Sequence, residues 1–371
     1  MTPFRVAHAA ADDWAHAAKA CADGLGPAPV KANLGFVYVT DALAEDLGSI
    51  LAYLKRKTGI EHWVGGVGMG ICADSEEYFD RPAVAVMAAD LPDDGFSVIP
   101  TISKGTDELS AGHREWMARV SPRFGIVHVD PRNPDSLGLI EELALATSGF
   151  LVGGLTSSRA EGQHVAEEVT GGGLSGILFA PEVEVATGLS QGCTPVAPSH
   201  VISDCVDNVI LGLDGRRALD VFKEDVGDLL AGDLDRVAGY IHAAIPIEGS
   251  DTGDYMVRNL VGIDPVRGWL AVGGEIRPGD RVMFVRRDPE SAEADLVAML
   301  EKLKRRLAGP PRGGLYISCV ARGPNMFGEE GREMALIRAG LGAVPLVGFY
   351  AGGEISNNRL YAYTGVLVLF L

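Results

Sequence analysis

The chain has 371 residues, 47% of them apolar, which is more than one ordinary domain of roughly 100–200 residues needs, so two domains are expected. Lys and Arg number 32 against 50 Asp and Glu, a net charge of -18 that argues against nucleic acid as a partner and against attraction to an anionic bilayer. No stretch approaches the ~20 apolar residues of a membrane helix, and Asp12 and Asp13 stand where a signal peptide is apolar, so the expectation is a cytoplasmic protein with no membrane association.

In chain order, one pattern recurs three times: strand, helix, glycine-bearing strand, strand. The first copy has the β-rich run Phe36 to Val39 and a helix whose Leu43, Leu47, Ile50, Leu51 and Leu54 share one face. Gly59 is its expected left-handed cap, and Trp63-Val64-Gly65-Gly66 and Ala83 to Met87 follow as strands. In the second copy the strand is Ile126 to Val129, the helix carries Leu139, Ile140 and Leu143, and Leu151-Val152-Gly153-Gly154 and Leu174 to Ala180 complete the unit. A helix with Leu109, Trp116 and Val120 precedes it. The third copy runs from Leu315–Val320 through a helix with Met334, Ile337 and Leu341 to Leu346-Val347-Gly348 and Val366–Phe370. A strand at Val282 to Val285 and a helix with Leu296, Leu300, Leu303 and Leu307 are read as its lead-in. The fold class is therefore α/β to α+β: two related halves with mixed β-sheets flanked by helices, built from repeated strand-helix-strand-strand units. The turn-rich text from Tyr255 to Val285 reads as a β-rich insertion opening the second half, with the boundary near residue 220.

Five strings in order are Leu151-Val-Gly-Gly, Gln191-Gly-Cys-Thr-Pro-Val-Ala-Pro, Asp254-Tyr-Met-Val-Arg, Cys319-Val-Ala-Arg-Gly and Val347-Gly-Phe-Tyr-Ala-Gly-Gly-Glu-Ile. Together they resemble the FIST family of intracellular signal-transduction sensory proteins. The resemblance implies an N-terminal module over 32–220 and a C-terminal module over 221–371. It also implies a cytoplasmic sensor of small, amino-acid-like ligands acting with a signalling protein partner, here without an output module in the chain.

The residues themselves offer several candidate sites. Cys319 to Gly328 reads as a strand end running through Arg322, Gly323 and Asn325 into a helix start, a place where free helix amides favour anions. Arg322 is suited to fork onto a carboxylate, with Glu354, just beyond Gly353, receiving an ammonium group; the alternative is that Arg322 and Glu354 bridge each other. The matching loop of the second copy, Asp130-Pro131-Arg132-Asn133-Pro134, carries Arg132 for the same role. Gln191 and Asn208 are amide hydrogen-bonders, either to a ligand or to turn backbone. Cys193, with His200 seven residues on, and Cys319 leave open a thiol-dependent acyl-transfer or hydrolytic enzyme, and a protein-interaction adaptor is the third reading. The five cysteines and scattered histidines lack ligand spacing, so no metal and no cofactor are expected.

Overall fold

The computed structural model describes residues 4–26, 32–147, 149–159, 162–227, 237, 240–247 and 254–371. They form two compact units, one of Met1–Ser190 with Leu296–Leu371 and one of Gln191–Asp295. The sequence-level boundary near 220 and the compact units are thus different divisions of the chain: the second unit is continuous, and the first is made of the segments before and after it in the chain.

The first unit holds the three copies. Copy 1 is β1 (Arg5–Ala10), α1 (Trp14–Gly24), β2 (Leu34–Thr40), α2 (Leu47–Thr58), β3 (His62–Gly68), the hairpin β4 (Gly70–Ala73) and β5 (Glu76–Phe79), and β6 (Ala83–Ala89). Copy 2 repeats it as β7 (Phe96–Ile102), α3 (Ala111–Val120), β8 (Phe124–Val129), α4 (Ser136–Thr147), β9 (Phe150–Leu155), the hairpin β10 (His164–Ala166) and β11 (Glu168–Thr170), and β12 (Leu174–Phe179). Copy 3 begins at β13 (Val185–Ser190) and breaks off there.

The second unit follows as β14 (Thr194–Pro195), β15 (His200–Val206), β16 (Val209–Leu213), β17 (Arg216–Arg217), α5 (Ala218–Val226), β18 (Ile241–Pro246), β19 (Tyr255–Arg258), β20 (Leu260–Asp264), β21 (Trp269–Val272) and β22 (Arg281–Arg286). Its strands make one antiparallel sheet in the order β19-β18-β22-β15-β16-β21-β20, over a core that includes Phe222, Phe284, Ile241 and Leu270. Helix α6 (Pro289–Arg306) passes back into the first unit. Copy 3 resumes with β23 (Gly313–Cys319), the single turn α7 (Pro324–Phe327), α8 (Arg332–Leu341), β24 (Leu346–Ala351), the hairpin β25 (Glu354–Ser356) and β26 (Arg359–Tyr361), and β27 (Gly365–Phe370).

Several details differ from the sequence reading. Leu43 lies in the 3₁₀ turn Asp41–Asp46 ahead of α2 and not on that helix. Val282–Val285 lies in β22, which pairs with β18 and β15 of the second unit; the outer strand of copy 3 is β13, which pairs with β27. Leu109 precedes α3 instead of lying on it, because Ser110 caps that helix through the backbone N–H of His113.

Each copy pairs its second and third strands in parallel, as in β2–β3, β8–β9 and β23–β24, and brings the last strand back antiparallel. The hairpin of each copy leaves its own sheet. β4–β5 joins β24 of copy 3, β10–β11 joins β3 of copy 1, and β25–β26 joins β9 of copy 2. This cyclic exchange ties the three sheets into one unit around a shared core that includes Phe36, Tyr38, Ile126, Val152, Ile317, Phe349 and Phe370. Alternate residues on the strands face the helices, so Val37 and Val39 pack under α1 and α2 while Phe36 and Tyr38 enter the shared core.

Local rules explain the repeated parts. Helix α2 buries Leu47, Ile50, Leu51 and Leu54, each contributing about 1.5–3 kcal/mol, and stops at Gly59 with φ 70. The repeated Val-Gly marks close backbone approach: a Cβ on Gly65, Gly153 or Gly348 would lie 1.8, 1.8 or 1.7 Å from the carbonyl oxygen of Val37, Val127 or Tyr316.

Candidate functional site

At the carboxyl end of β8 the chain turns through Asp130, Arg132 and Asn133 into α4. Asn133 shapes this turn: its Oδ1 accepts from the Asp135 N–H at 2.8 Å, and its Nδ2 donates to the carbonyls of Ser103 and Gly172 at 3.0 and 2.9 Å. Asp130 is 1% exposed. Its carboxylate accepts from the Arg132 backbone N–H at 2.9 Å, from Arg132 Nε and Nη2 at 3.2 and 3.1 Å, and from the Gly172 N–H at 2.9 Å. Burial alone raises the pKa of this carboxyl, but the Arg132 side chain and the two amides outweigh it and hold the group below its ordinary value.

Asp130 in turn fixes Arg132, whose side chain remains 55% exposed. The guanidinium borders a cavity of about 680 Å³ whose other walls include Gln163, Thr170 and Gly171. Gly162 also lines it, and a Cβ there would fall 2.5 Å from Asp130 Oδ1, so only glycine lets this strand of chain lie against the carboxylate. Gln163 Oε1 is buried with no hydrogen-bond partner among the described residues. Behind Gln163, the buried His164 meets Ser175 Oγ through Nδ1, and burial pulls its pKa down to about 4 despite the nearby Asp130 charge. His128 is likewise held neutral, pulled down to about 3 by burial and by His164, with Nε2 3.0 Å from the Tyr38 hydroxyl. Among the described residues no cluster of three His, Cys, Asp or Glu side chains is arranged for a metal.

The corresponding loop of copy 3 is filled by the protein itself. Arg322 is 1% exposed, and its Nε donates to Glu333 Oε1 at 2.8 Å. Glu333 also accepts from Tyr316 and Ser318 hydroxyls at 2.6 and 3.1 Å and from the Gly323 N–H at 3.1 Å. The remaining Arg322 nitrogens reach the Tyr363 carbonyl and Ser190 Oγ, each at 3.3 Å. The expected helix start at Pro324 is one turn only; the longer α8 presents its Met334 N–H to Glu77 Oε1 at 3.2 Å. Glu77 is pushed up to about 7 by burial and by the charge of Glu333.

Glu354, read from the sequence as a possible bridge to Arg322, forms no ion pair with it. Its Oε2 accepts from the Thr364 N–H and hydroxyl at 3.0 and 2.8 Å, and burial raises its pKa to about 8. Gly353 packs against Leu155, whose N–H donates to the Gly353 carbonyl at 2.8 Å, and Asn325 Nδ2 donates to the Val320 carbonyl at 3.2 Å.

The other candidates, apart from Cys319 at the end of β23, lie in the second unit. Gln191 Nε2 donates to the Tyr255 carbonyl at 2.6 Å, and the Tyr255 hydroxyl donates to the Cys193 carbonyl at 2.8 Å, so the Gln191 and Asp254 strings meet. Asp295, which carried no sequence signal, accepts from the Gln191 and Gly192 N–H groups at 2.6 and 3.0 Å. Asn208 binds turn backbone, its Nδ2 donating to the Val272 carbonyl at 2.7 Å. His200, the suggested base for Cys193, has both ring nitrogens on acids, Asp214 at 2.7 Å and Asp225 at 2.8 Å. Burial pushes the Cys319 thiol up to about 12, with the Glu354 charge adding to the shift, so little thiolate exists at neutral pH. No helix is long and apolar enough to cross a membrane among the described residues.

Residues 33–216 match the FIST N domain model and residues 218–357 the FIST C domain model. An uncharacterized protein of Mycobacterium tuberculosis is 30% identical over 99% of this chain and 97% of its own length. An uncharacterized protein of Mycobacterium bovis is 29% identical over 90% of this chain and 88% of its own. The chain belongs to the FIST family, whose domains are signal-transduction sensory domains.

Proposed function

We propose that this chain is a sensory protein for a small polar ligand of the amino-acid type, held in the copy 2 cleft rather than at Arg322. The observation that carries this reading is Arg132, fixed by the buried Asp130 at the border of a cavity of about 680 Å³. That volume falls within the range of roughly 300–1,000 Å³ common for small-molecule sites. A ligand carboxylate is attracted by the half-exposed guanidinium. Pro134 and Val169 add apolar wall for a short side chain.

Signalling requires that the ligand favour one arrangement of the protein over another. Arg132 leads into α4 of copy 2, whereas Gln163 leads into β10, which pairs with β3 of copy 1. A ligand touching both links the helix of one copy to the sheet of the next.

A thermal-shift screen of wild type and Arg132→Gln against the standard amino acids tests the reading. At least one amino acid raises the melting temperature of wild type, and the same concentration leaves Arg132→Gln unmoved. Failure of every amino acid to stabilise wild type, or equal stabilisation of both proteins, overturns it.

A further inference from the structure

Helix α4 begins beside the Arg132 cleft, and its far end borders a second cavity. Among the described residues of the first unit three large apolar side chains are exposed, Leu137, Leu145 and Val297, and α4 carries two of them. Leu137 and Leu145 are 55% and 80% exposed, and with the exposed Glu141 between them they stand at i, i+4 and i+8 on one helix face. Leu139, Ile140 and Leu143 already anchor the helix to the core, so the outer leucines take no part in holding it down.

Leu145 lines a cavity of about 640 Å³ together with Gly149, Phe150, Asn357 and Asn358. The facing wall is the tip of the β25–β26 hairpin, where Asn357 and Asn358 take the left-handed region at φ 48 and 63. Asn358 ties that tip to β9: its Oδ1 accepts from the Leu151 N–H at 2.8 Å, and its Nδ2 donates to the Gly149 carbonyl at 3.1 Å. Ile355 and Leu360 of the same hairpin pack with the buried leucines of α4 in one core, so both walls of the groove are fixed. Glu141 is the one charged residue among those lining it, and α4 carries no basic residue. The helix's other acid, Glu142, is occupied by the Thr106 N–H and hydroxyl at 2.7 and 2.6 Å.

We propose that this groove docks an amphipathic helix of another protein, with apolar side chains against Leu137 and Leu145 and a lysine or arginine against Glu141. A stripe at helical spacing beside a preformed groove is matched by a partner helix laid along it. Charge selects the occupant. A second copy packed on α4 about a two-fold axis would set Leu137 on Leu145 and press Glu141 against Glu141, like charge on like. A cationic helix instead answers Glu141 and is drawn by the chain's net charge of -18. The surface does not rest on the Arg132 reading, although a partner seated there touches the helix that the Arg132 loop leads into.

The test is fluorescence anisotropy of two labelled synthetic peptides, each an amphipathic helix with leucine at i, i+4, i+7 and i+11, one flanking that face with lysine and the other with glutamate. Wild type is expected to bind the lysine peptide saturably and the glutamate peptide at least tenfold more weakly. Leu145→Gln, which keeps a good helix former at an exposed position, weakens the lysine peptide at least tenfold. Glu141→Lys reverses the preference between the peptides, which a bulk-charge effect on so acidic a chain would not do. Arg132→Gln binds the lysine peptide as wild type does, so loss of the ligand reading leaves this result in place. No saturable binding, equal binding by wild type and Leu145→Gln, or an unchanged preference in Glu141→Lys overturns the proposal. Light scattering over a concentration series covers the other occupant: self-association of wild type that Leu145→Gln abolishes assigns the groove to a second copy and overturns the partner helix.

Discussion

Copies 2 and 3 put an arginine in the loop beyond the carboxyl end of equivalent strands, and the two arginines have different fates. Arg322 is enclosed and neutralised by Glu333 from α8, with the Gly323 and Met334 amides taken by Glu333 and Glu77. Arg132 is held from behind by Asp130 and keeps an exposed flank on the cavity. In copy 3 the carboxylate comes from the protein, and the loop serves stability; in copy 2 the geometry leaves room for a ligand. A repeated fold thus supplies the same strand end more than once, and the side chains that follow decide whether it is closed.

The largest effect marks what the copies share. Ala at Gly153 or at Gly348 forces a Cβ to within 1.8 or 1.7 Å of a carbonyl oxygen, so each is expected to lose upward of ~4 kcal/mol in denaturant unfolding or to fail to fold. A loss near 1 kcal/mol at either position would mean that the paired strands do not approach as described. Next comes Arg322→Ala, which strands Glu333 in the interior and is expected to cost about 3–5 kcal/mol. If that variant unfolds like wild type, the copy 3 loop is not the structural member of the pair.

The pH profile sharpens the comparison further, because His164 and Glu354 occupy matching places in their hairpins, opposite Gly66 and Gly154. The copy 2 residue makes the acid limb. His164 is lowered to about 4 and His128 to about 3 in the fold, so stability is complete above their ordinary 6.5 and is lost as pH falls below it. Glu354 of copy 3, with Glu77 of the copy 1 hairpin that meets α8, makes the alkaline limb. Glu354 at about 8 and Glu77 at about 7 bind protons that the unfolded chain releases near 4.5, so their contribution is full below that value and is lost as pH rises toward 8. Each group adds a slope of at most ~1.4 kcal/mol per pH unit. Denaturant midpoints measured from pH 4 to 9 should therefore peak between the limbs; Glu354→Gln should flatten the alkaline side, and an unchanged slope in that variant would contradict the assignment.

The smallest stability change is expected at Arg132→Ala, about 1 kcal/mol or less, since its ion pair with Asp130 is open to solvent on the arginine side. A loss as large as that of Arg322→Ala would make both loops structural and remove the contrast.

Much of this fold was legible in the sequence because it depends on local signals. Gly59 after α2, the face formed by Leu47, Ile50, Leu51 and Leu54, and the threefold Val-Gly each follow from backbone or periodicity rules that act within a few residues. The hairpin exchange between copies was not legible, since β4 pairs with β24 across most of the chain and short strands carry no mark of their partner. For the same reason Val282–Val285 looked like the lead-in to copy 3 when that place belongs to β13. Arg322 and Arg132 were both visible as candidates. What distinguishes them was not, because Glu333 reads as an ordinary acidic residue in the first turn of a helix, and Gln163 as an ordinary loop amide. Gln191 and Asn208 illustrate the opposite case, amides that stand out in the sequence and bind backbone carbonyls in the fold.

The most direct measurement is calorimetric titration of the amino acid that most stabilises wild type into three proteins: wild type, Arg132→Gln and, at a temperature where it is folded, Arg322→Lys. Saturable binding to wild type is expected, with similar affinity for Arg322→Lys and at least tenfold weaker binding to Arg132→Gln. Binding that survives in Arg132→Gln and is lost in folded Arg322→Lys would place the ligand in the loop closed by Glu333 and overturn the assignment to copy 2.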